Sequence, residues 1–542
     1  LTDPEVLTAF SGADFLAIFR AVDHMLTGLI PNLALGSNWR VHELASILRV
    51  ALSFPFLRQA ERWQALAVNG LNEEFAIQIR DDGSHEELAI HYGAGTWLAF
   101  AALHALAAQR PDIGLRFDPD KMERALVYVL SACKPFGLAA AIGDDYGSRT
   151  PAMLDGVSAP HRQGTPPAWD RMVRQGAAWL ARAGDSPTAA FILHGTPEPA
   201  WQSRHHRNSG YLFLRDGWQP EALYAGLNMG YYANCHCHYG LLGLEIAGLG
   251  REFIVDPGCS ALDAREINQN FARTRAHSTL CVDGLDQQVA APVTPSRLVL
   301  GAQYDFAVGV YKGGYVAGNP FGPGCTSAGR FTSAFSGTHF RHLLFVKGSY
   351  WMLFDALTTQ PGHCAETRLQ FLPTAITALP QGGYSTGWAA ANLALLPLQW
   401  DGWTHDVVQG MTDPIEGWMP GPQKTLLPAP VYKATCPTGD GPCWHGSLLF
   451  PYPGATPPAL TITALVTDAG FGYRIDAPAF TDYLFLSNSW NPRDIVLDAI
   501  RTDAPCLHLR LVDGQPTQAF TCEGTYLTVN GTRMFAAPGT ML

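Results

Sequence analysis

The feature that most constrains the fold is a change of sequence pattern near residue 200. Before it, apolar residues recur at helical spacing, and the breaks between these segments contain Pro and Gly. The pattern predicts helices over 15–26, 38–52, 57–79, 85–108, 122–133 and 169–183. From about residue 209, short runs of β-branched and aromatic residues alternate with Gly, Pro, Asp and Asn, as in strands joined by turns. A run of helices followed by a run of strands predicts an α+β multidomain chain.

The same pattern predicts the division into domains. We expect a helical domain over 1–195, a central antiparallel β-sandwich domain over 205–416 and a C-terminal β-domain over 417–542. The Pro- and Gly-rich segment 417–430 is the best candidate for an internal linker. Glycine and proline number 54 and 39 among 542 residues, a share that suits a chain with many turns.

Charge and hydrophobicity exclude several classes of protein. The formal net charge of −11 argues against a nucleic-acid-binding protein, which needs clustered positive charge. With 47% hydrophobic residues the chain can bury large cores, so it is not a disordered protein. No apolar run reaches the roughly 18 residues of a membrane helix, and no membrane partner is expected. The 11 cysteines do not form a disulfide framework, although Cys436 and Cys443 flank one turn and could form a local bridge.

The densest polar cluster is the sequence NCHCHY at 234–239, which precedes a strand-like run. Residues two apart on a strand face the same side, so His236 and His238 would project together. The chain then turns and returns to Asp256, and further along His277 precedes another strand. Two histidines and a carboxylate from three segments suit a zinc-type site. On spacing alone, ordinary histidines at strand ends and an aspartate in a turn fit at least as well.

A second group of polar residues lies in the helical part, in GSNWR at 36–40 and DDGSHEELAIHY at 81–92. Taken singly, each residue has an ordinary interpretation. Asn38 near a helix start reads as an N-cap, and Ser84 followed by Glu87 fits a capping box. Tyr92 on an apolar helix reads as a core tyrosine.

Taken together, these segments resemble those of the heparinase II/III-like polysaccharide lyases. The resemblance rests on six segments in order: GSNW at 36–39, DDGSHEELAIHY at 81–92, SGYLFLRDGW at 209–218, HCHYGLLGLEIAGLGREFIVDPG at 236–258, RTRAHSTLCVDG at 273–284 and HFRHLLFVKGSYWMLFDAL at 339–357. It covers most of residues 30–360 and implies an α/α toroid followed by antiparallel β-sandwich domains. The chain begins close to the Asn motif, so we expect that the native protein extends before Leu1 or that its toroid is short.

The resemblance also implies roles for individual residues. Asn38 would bind and neutralise the carboxylate of a uronic acid, Tyr92 would be the general acid and a candidate base, and His236 the second proton-transfer residue or a carboxylate ligand. The implied cofactor is a structural divalent metal ion, zinc first and manganese or calcium as alternatives, with ligands His238, Asp256 and His277. Further substrate contacts are expected from Trp39, Arg40, His91, Arg207 and Arg273.

This sequence departs from the family pattern at two places. Gly240 stands where the family often has Asp, which puts the surroundings of the metal in question. The order His91, Tyr92, Gly93 replaces the Tyr-His of many members, which removes a candidate basic residue after the tyrosine.

The implied chemistry needs these residue types. A uronate lyase removes the C5 proton and expels the C4 oxygen, and negative charge develops on the carboxylate. An amide that donates N–H bonds can hold that charge. Tyrosine is a poor base at its free pKa of about 10, so a nearby positive charge from a histidine or arginine has to lower that pKa.

We therefore expect a lyase that cleaves a uronic-acid-containing glycosaminoglycan, such as heparan sulfate, heparin, chondroitin or hyaluronan, to unsaturated uronate products. The expected partner is thus an acidic polysaccharide or oligosaccharide, and the oligomeric state is left open. A periplasmic or secreted location is expected, although no signal peptide is visible.

Three alternatives remain open. One is an alginate or oligoalginate lyase. Another is an α/α-toroid glycoside hydrolase with a carboxylate pair drawn from Asp81, Asp82, Glu86 and Glu87. The third, motivated by Gly240, is a glycan-binding protein without activity.

Overall fold

The computed structural model describes residues 8–144, 168–232, 236–259, 269–288, 293–316, 335–398, 400–421, 425–491 and 493–535. Apart from the helical residues 269–271 and the 3-10 turn Thr274–Ala276, the described helices lie before residue 200. The helices are α1 (Gly12–Leu29), α2 (Ser37–Ser53), α3 (Ala60–Gln78), α4 (Ile90–Gln109), α5 (Pro119–Ala132), α6 (Ala168–Ala183) and α7 (Pro187–His194), with 3-10 turns at Ile30–Asn32, Pro111–Ile113 and Thr274–Ala276. Each predicted helix is confirmed, with ends that shift by a few residues. No helix in these ranges is long and apolar enough to span a membrane.

The start of helix α4 differs from the prediction, because the residues expected to cap it have other partners. Helix α4 begins at Ile90, five residues after the predicted start, and its N-cap Ala89 makes no side-chain bond. The capping box predicted for Ser84 and Glu87 is therefore wrong. The Ser84 hydroxyl donates to Asp82 at 2.6 Å instead. A Ser-x-x-Glu pattern forms a capping box only when both side chains turn back to their own helix.

The strands follow one another from residue 204 onward. The first fifteen are β1 (Arg204–His206), β2 (Tyr211–Arg215), β3 (Tyr224–Asn228), β4 (Leu244–Gly248), β5 (Arg251–Ile254), β6 (Leu280–Val282), β7 (Asp286–Gln287), β8 (Thr294–Leu300), β9 (Tyr304–Tyr311), β10 (Tyr315–Val316), β11 (Gly337–Val346), β12 (Tyr350–Thr359), β13 (Cys364–Gln370), β14 (Ile376–Ala378) and β15 (Tyr384–Thr386). The next are β16 (Ala391–Pro397), β17 (Thr404–Val408), β18 (Met411–Thr412), β19 (Ile415–Glu416), β20 (Trp418–Gly421), β21 (Thr425–Pro428), β22 (Val431–Pro437) and β23 (Cys443–Pro453). The last are β24 (Thr461–Leu465), β25 (Gly470–Ala477), β26 (Phe480–Ser487), β27 (Ile495–Leu497), β28 (Ile500–Thr502), β29 (Cys506–Val512), β30 (Gln515–Cys522), β31 (Leu527–Val529) and β32 (Thr532–Phe535).

Antiparallel pairing arranges these strands in sheets. The large sheets have the orders β1-β2-β3-β4-β5, β14-β15-β16-β23-β12-β11-β9-β8, β17-β22-β13-β6, β24-β25-β26-β29-β30 and β27-β28-β31-β32, and three two-stranded sheets pair β10 with β7, β18 with β19 and β20 with β21. The eight-stranded sheet is buried on both faces. Along β11, Leu343 and Phe345 belong to one core cluster, whereas the alternate residues Leu344 and Val346 belong to another. This explains the continuous apolar sequence of the strand, because successive side chains point to opposite faces.

Strand pairing does not follow the division predicted at residue 417. Strands β22 and β23 lie after it, yet they pair with β13 and with β12 and β16, which lie before it. The predicted linker 417–430 also contains β20 and β21, which pair with each other. The sheets therefore continue to Pro453, and the C-terminal strands that form sheets of their own begin at Thr461. Pro420, Gly421 and Pro428 lie within these two strands, so the stretch does not form a linker.

By contact density the described chain separates into two compact units. The helical unit comprises 8–130 and 168–199 together with His236. The β-unit comprises 131–144, 200–232 and the described residues from Cys237 onward. Of the sequence cluster at 234–239, Asn234 and Cys235 lie outside the described residues.

Candidate functional site

Two groups of polar side chains stand out, one in each unit. The first, called here the helical cluster, consists of Asn38, Glu87, Tyr92 and His236. Tyr92 lies in the first turn of α4, and its ring stacks on the His236 imidazole with centroids 3.7 Å apart and ring planes at 13°. Both side chains are half-buried. The stack brings a phenol and an imidazole, two groups that can transfer protons, to one point of the helical unit.

Glu87 connects this ring pair to the start of α2. Its Oε1 accepts a hydrogen bond from the backbone N–H of Asn38 at 3.1 Å, and its Oε2 lies 4.0 Å from His236 Nε2. The residue is 3% exposed. Its role in the cluster was missed from the sequence, because the partner is 49 residues away and the local pattern indicated a capping box.

Asn38 is not the N-cap that its position predicted. Helix α2 already includes it, and the N-cap is Gly36. Its side chain is 9% exposed, and among the described residues the buried Oδ1 atom has no hydrogen-bond partner. A buried polar atom without a protein partner is uncommon and is typical of groups that bind a ligand.

Gln78 braces the segments that carry Asn38 and Glu87. Its fully buried side chain donates to the Ser37 carbonyl at 2.8 Å and to Glu74 at 2.6 Å, and its Oε1 lies 2.9 Å from His85 Nε2. Burial, with smaller effects of Arg80 and His236, lowers the pKa of His85 to about 3. His85 is therefore a neutral imidazole at any ordinary pH and holds the backbone beside Glu87.

The backbone near the helical cluster is in an uncommon conformation at three positions. Ser37, Leu88 and His236 have φ values of 68°, 61° and 59°, in the left-handed region that favours glycine. One precedes Asn38, one follows Glu87, and the third is His236 itself. Such residues cost on the order of 1–3 kcal/mol each and cluster at functional sites.

The other residues predicted to contact substrate are spread over both units. Trp39 is 67% exposed, and His91 is exposed next to Tyr92. Arg40 forms an ion pair with Glu74 at 2.6 Å, which ties its side chain to α3. Two others, Arg207 and Arg273, belong to the β-unit, where Arg207 is exposed and Arg273 pairs with Asp286 at 3.0 Å.

The second group, called here the metal cluster, consists of His238, Asp256 and His277 in the β-unit. One ligand atom from each lies within 4.8 Å of the others. His277 Nε2 lies 3.3 Å from His238 Nδ1 and 3.5 Å from Asp256 Oδ2. Burial, then the neighbouring His238, lowers the pKa of His277 to about 3, which keeps this imidazole neutral. Two imidazoles and a carboxylate are a donor set that suits zinc.

The nitrogens that face away from the metal cluster also have partners. His277 Nδ1 lies 2.8 Å from the Arg273 carbonyl oxygen, and His238 Nε2 lies 2.9 Å from Asp144 Oδ1. Asp144 was missed in the sequence analysis, because it lies 94 residues before His238 in a segment without a recognised motif.

His236 and His238 do not share a strand face as predicted. The segment 236–240 is not a strand, because β4 begins only at Leu244 and His236 has left-handed backbone. The two histidines therefore have different neighbours. His236 stacks on Tyr92, whereas His238 lies against Asp144 and His277.

Gly240 departs from the family pattern for a packing reason. A Cβ atom at this position would lie 2.6 Å from Cδ2 of the His277 ring. Any side chain here would displace the imidazole of His277, so the glycine makes room for the metal cluster. The departure does not touch the helical cluster.

Buried Arg341 fixes the backbone on both sides of the metal cluster. Its guanidinium donates to the carbonyl oxygens of Leu242 at 2.6 Å and Ser278 at 2.5 Å, next to the segments that carry His238 and His277. Asp355 neutralises the guanidinium through two bonds of 2.8 Å. The two histidine segments are thereby clamped from within the eight-stranded sheet.

Comparisons with known proteins identify the family. The model described as the heparinase II/III N-terminus matches residues 10–145, and the model described as heparinase II/III-like, C-terminal matches residues 198–426. The chain belongs to the heparinase II/III-like family.

Individual relatives agree with this. A heparin-sulfate lyase of Pedobacter heparinus is 22% identical over 284 residues, which are 51% of this chain and 40% of that protein. The crystal structure of a heparan sulfate lyase from Pedobacter heparinus superposes with a TM-score of 0.65 at 18% identity, over 88% of this chain and 69% of that one. A heparinase III structure gives a TM-score of 0.63 at 14% identity, over 83% and 67%.

These likenesses confirm the predicted fold of an α/α toroid followed by antiparallel β-sandwiches. The chain spans well under half the length of the curated relative that it matches.

Proposed function

We propose that this protein is a polysaccharide lyase that cleaves a heparin- or heparan-sulfate-type glycosaminoglycan by β-elimination. The observation that carries the proposal is the stack of Tyr92 on His236, beside Glu87 and Asn38. Membership of the heparinase II/III-like family and the names of the relatives support the substrate class.

In the proposed reaction, Asn38 donates side-chain N–H bonds to the uronate carboxylate. Charge that develops there when the C5 proton leaves is stabilised by this fixed donor. Tyr92 protonates the leaving C4 oxygen and is also a candidate for the base at C5. His236 is the second proton-transfer group or a further carboxylate ligand. The electrons of the C5–H bond form the C4=C5 double bond as the C4–O bond breaks.

Glu87 adds a fixed negative charge to this arrangement. A carboxylate 4.0 Å from His236 Nε2 stabilises a positive imidazole when that ring takes a proton. The same carboxylate holds the backbone of Asn38. Glu87 therefore links the group that would bind the uronate with the group that would transfer a proton.

A structural divalent ion, zinc first, with manganese or calcium as alternatives, is part of the proposal. The residues to hold it are His238, Asp256 and His277, whose donor atoms fit such an ion in type and spacing. The ion would cross-link three segments of the β-unit. None of the proton transfers proposed above requires it.

Two alternatives are weaker on specific contacts. For the hydrolase, two of the four candidate carboxylates hold backbone or side-chain groups, since Asp82 accepts bonds from Ser84 and Glu87 accepts one from Asn38. For the inactive binding protein, the motivating Gly240 is accounted for by the packing of His277. An alginate lyase differs only in substrate and is tested directly.

The test is a screen of heparan sulfate, heparin, chondroitin sulfate, hyaluronan and alginate. β-Elimination gives a product with new ultraviolet absorbance and a fragment mass lower by one water than the hydrolysis product. Expected is such a product from heparan sulfate or heparin. New reducing ends without absorbance would indicate a hydrolase, and saturable binding without product would indicate a binding protein. Because such polymers do not cross a membrane unaided, the proposed place of action is the periplasm or the cell exterior.

A further inference from the structure

Both imidazoles of the metal cluster have a hydrogen-bond acceptor behind them. A carbonyl oxygen only accepts, so the Arg273 carbonyl requires the proton of neutral His277 on Nδ1, which leaves the Nε2 lone pair facing the cluster. A carboxylate also accepts, so Asp144 orients His238 with its Nε2 proton outward and its Nδ1 lone pair inward. The inward nitrogens are 3.3 Å apart, with a carboxylate oxygen of Asp256 beside them. Three acceptors that converge in this way are arranged as the ligands of a shared cation would be.

We propose that Asp144 is a positioning residue of the metal cluster, which fixes the tautomer and ring orientation of His238 without binding the ion. This inference rests on the proposed metal site and names a residue that its ligand set does not include. Outer carboxylate partners of this kind raise the basicity of the ligand, and their loss typically costs about 10- to 100-fold in metal affinity.

The segment that carries Asp144 is itself fixed to the metal cluster. The N–H of Ala141 and the N–H of Asp256 donate to the same oxygen of Glu245, at 3.1 and 3.2 Å. Glu245 is buried, and the ammonium group of buried Lys134 lies 3.3 Å from its oxygens. One carboxylate thus sets the spacing between the proposed ligand Asp256 and the segment that contains Ala141 and Asp144.

The test is a zinc titration of chelator-treated protein against a competing chelator. Asp144→Ala is expected to weaken zinc binding by about 10- to 100-fold, and Asp144→Asn, which keeps an acceptor oxygen, by less. The matched control is Asp283→Ala, because Asp283 pairs with His363 at 2.6 Å and neither belongs to the metal cluster. Equal affinities of Asp144→Ala and the wild type, within about twofold, would overturn the proposal.

A second readout separates positioning from direct ligation. With cobalt(II) in place of zinc, the visible absorption of Asp144→Asn should keep the position and intensity of the wild-type bands, because the ligands are unchanged. A changed spectrum would make Asp144 a ligand and overturn the proposal. If the wild type binds no divalent ion, the proposed metal site is wrong. If the wild type binds zinc with the same affinity as Asp144→Ala, the metal site stands and only the role of Asp144 is wrong.

A separate observation concerns the thiols at the junction of two sheets. Cys436 ends β22 in the four-stranded sheet, and Cys443 begins β23 in the eight-stranded sheet. Their sulfur atoms lie 3.3 and 3.9 Å from one carbonyl oxygen, that of Pro437. Both residues are half-buried thiols, and the turn between them is largely exposed.

We infer that Cys436 and Cys443 are a modification site, a dithiol that closes to a disulfide by exchange with an external disulfide such as oxidised glutathione. One thiolate attacks a glutathione sulfur and releases the first glutathione thiolate. The second cysteine attacks the protein sulfur of that mixed disulfide and releases the second. The two thiol protons end on the two reduced glutathiones, and the new bond joins the two sheets.

The internal control is the pair Cys506 and Cys522, which face each other across β29 and β30 but are buried. After incubation with oxidised glutathione and alkylation, peptide mass spectrometry should find Cys436 and Cys443 linked and the control pair alkylated only after unfolding. Burial and the Cys443 thiol raise the pKa of Cys436 to about 11, so closure should be faster at pH 9 than at pH 7.

The variant Cys436→Ser tests the second step of the exchange. It should stop at a stable glutathione adduct on Cys443, because the attacking partner is missing. Full alkylation of both cysteines in the wild type after excess oxidised glutathione, or glutathione retained on one of them, would overturn this inference.

Discussion

The helical cluster and the metal cluster differ in how far solvent reaches them. Tyr92 and His236 are half-buried, and the backbone around them is left-handed at three non-glycine residues. His238 and His277 are only 7% and 1% exposed, and their segments are clamped by Arg341. A partly open cluster suits a large polymer, whereas a closed one suits a small ion. The difference teaches that the two histidines of one short motif lie in different surroundings.

The largest effect is expected for Tyr92→Phe. It removes the phenol oxygen but keeps the ring that stacks on His236, and the turnover number should fall by about 10² to 10⁴-fold. Substrate affinity and thermal stability should change little. The control is Tyr128→Phe, a buried tyrosine of α5, which should keep its activity. Unchanged product formation by Tyr92→Phe would remove the phenol from the mechanism.

Asn38→Ala should lower the turnover number by about 10² to 10³-fold, because it removes a donor to the developing carboxylate charge. The exposed residue Asn69 on α3 provides the control substitution Asn69→Ala. Rates are followed by the ultraviolet absorbance of the product. An Asn38→Ala enzyme with less than a threefold loss would assign the carboxylate to another residue.

His277→Ala should separate the two clusters. Loss of a ligand should cost more than the roughly 100-fold upper range for an outer partner, so elemental analysis of the purified variant should find no zinc. The turnover number should fall by less than about tenfold, because no proposed proton transfer uses this residue. His363→Ala, which alters a histidine outside the metal cluster, is the control. Zinc retained at the wild-type level would refute the ligand assignment.

Glu87→Gln keeps an acceptor for the Asn38 N–H but removes the charge near His236. The turnover number should fall by about tenfold, which corresponds to about 1.4 kcal/mol and is the scale of one charge at this distance in a partly solvated site. Glu43 also accepts a backbone N–H, from Ala34 at 2.9 Å, and Glu43→Gln is the control. Unchanged turnover in Glu87→Gln would mean that only the hydrogen bond to Asn38 matters, and an equal loss in both variants would mean that the effect is not specific to the charge near His236.

The last prediction concerns stability, not turnover, and uses a buried histidine outside both clusters. Burial lowers the pKa of His445 to about 3, against about 6.5 in an unfolded chain. Below pH 6.5 the unfolded chain binds a proton that the folded one does not. This residue therefore contributes a loss of stability of about 1.4 kcal/mol per pH unit as pH falls toward 3.

His445→Gln should make the urea midpoint of the β-unit less sensitive to pH between 6.5 and 4.5. His24→Gln, a substitution in α1, should leave that pH dependence unchanged. Parallel curves for His445→Gln and the wild type would contradict the prediction.

The sequence predicted those parts of the molecule that depend on local pattern. Helical spacing located α1 to α6, and alternation with turn residues located most strands. The resemblance to the family selected Asn38, Tyr92 and His236, which lie together in the helical unit. Their chemical roles remain predictions.

What the sequence did not reveal depends on contacts between distant segments. Glu87 reads locally as a capping residue, and only the fold sets it against Asn38. Asp144 lies far from His238 along the chain. The boundary at residue 417 was misplaced because a Pro- and Gly-rich stretch has the same composition whether it forms a linker or the paired strands β20 and β21.

The close contact between Gly240 and the His277 ring limits which residues can replace this glycine. Since the His277 ring occupies the volume that a Cβ atom would need, a side chain at position 240 requires the ring to move. A saturation library at this position should return glycine almost exclusively, and an aspartate should survive only where a second mutation has moved the ring. Homologues with aspartate here would then show a compensating change in the loop that carries their histidine.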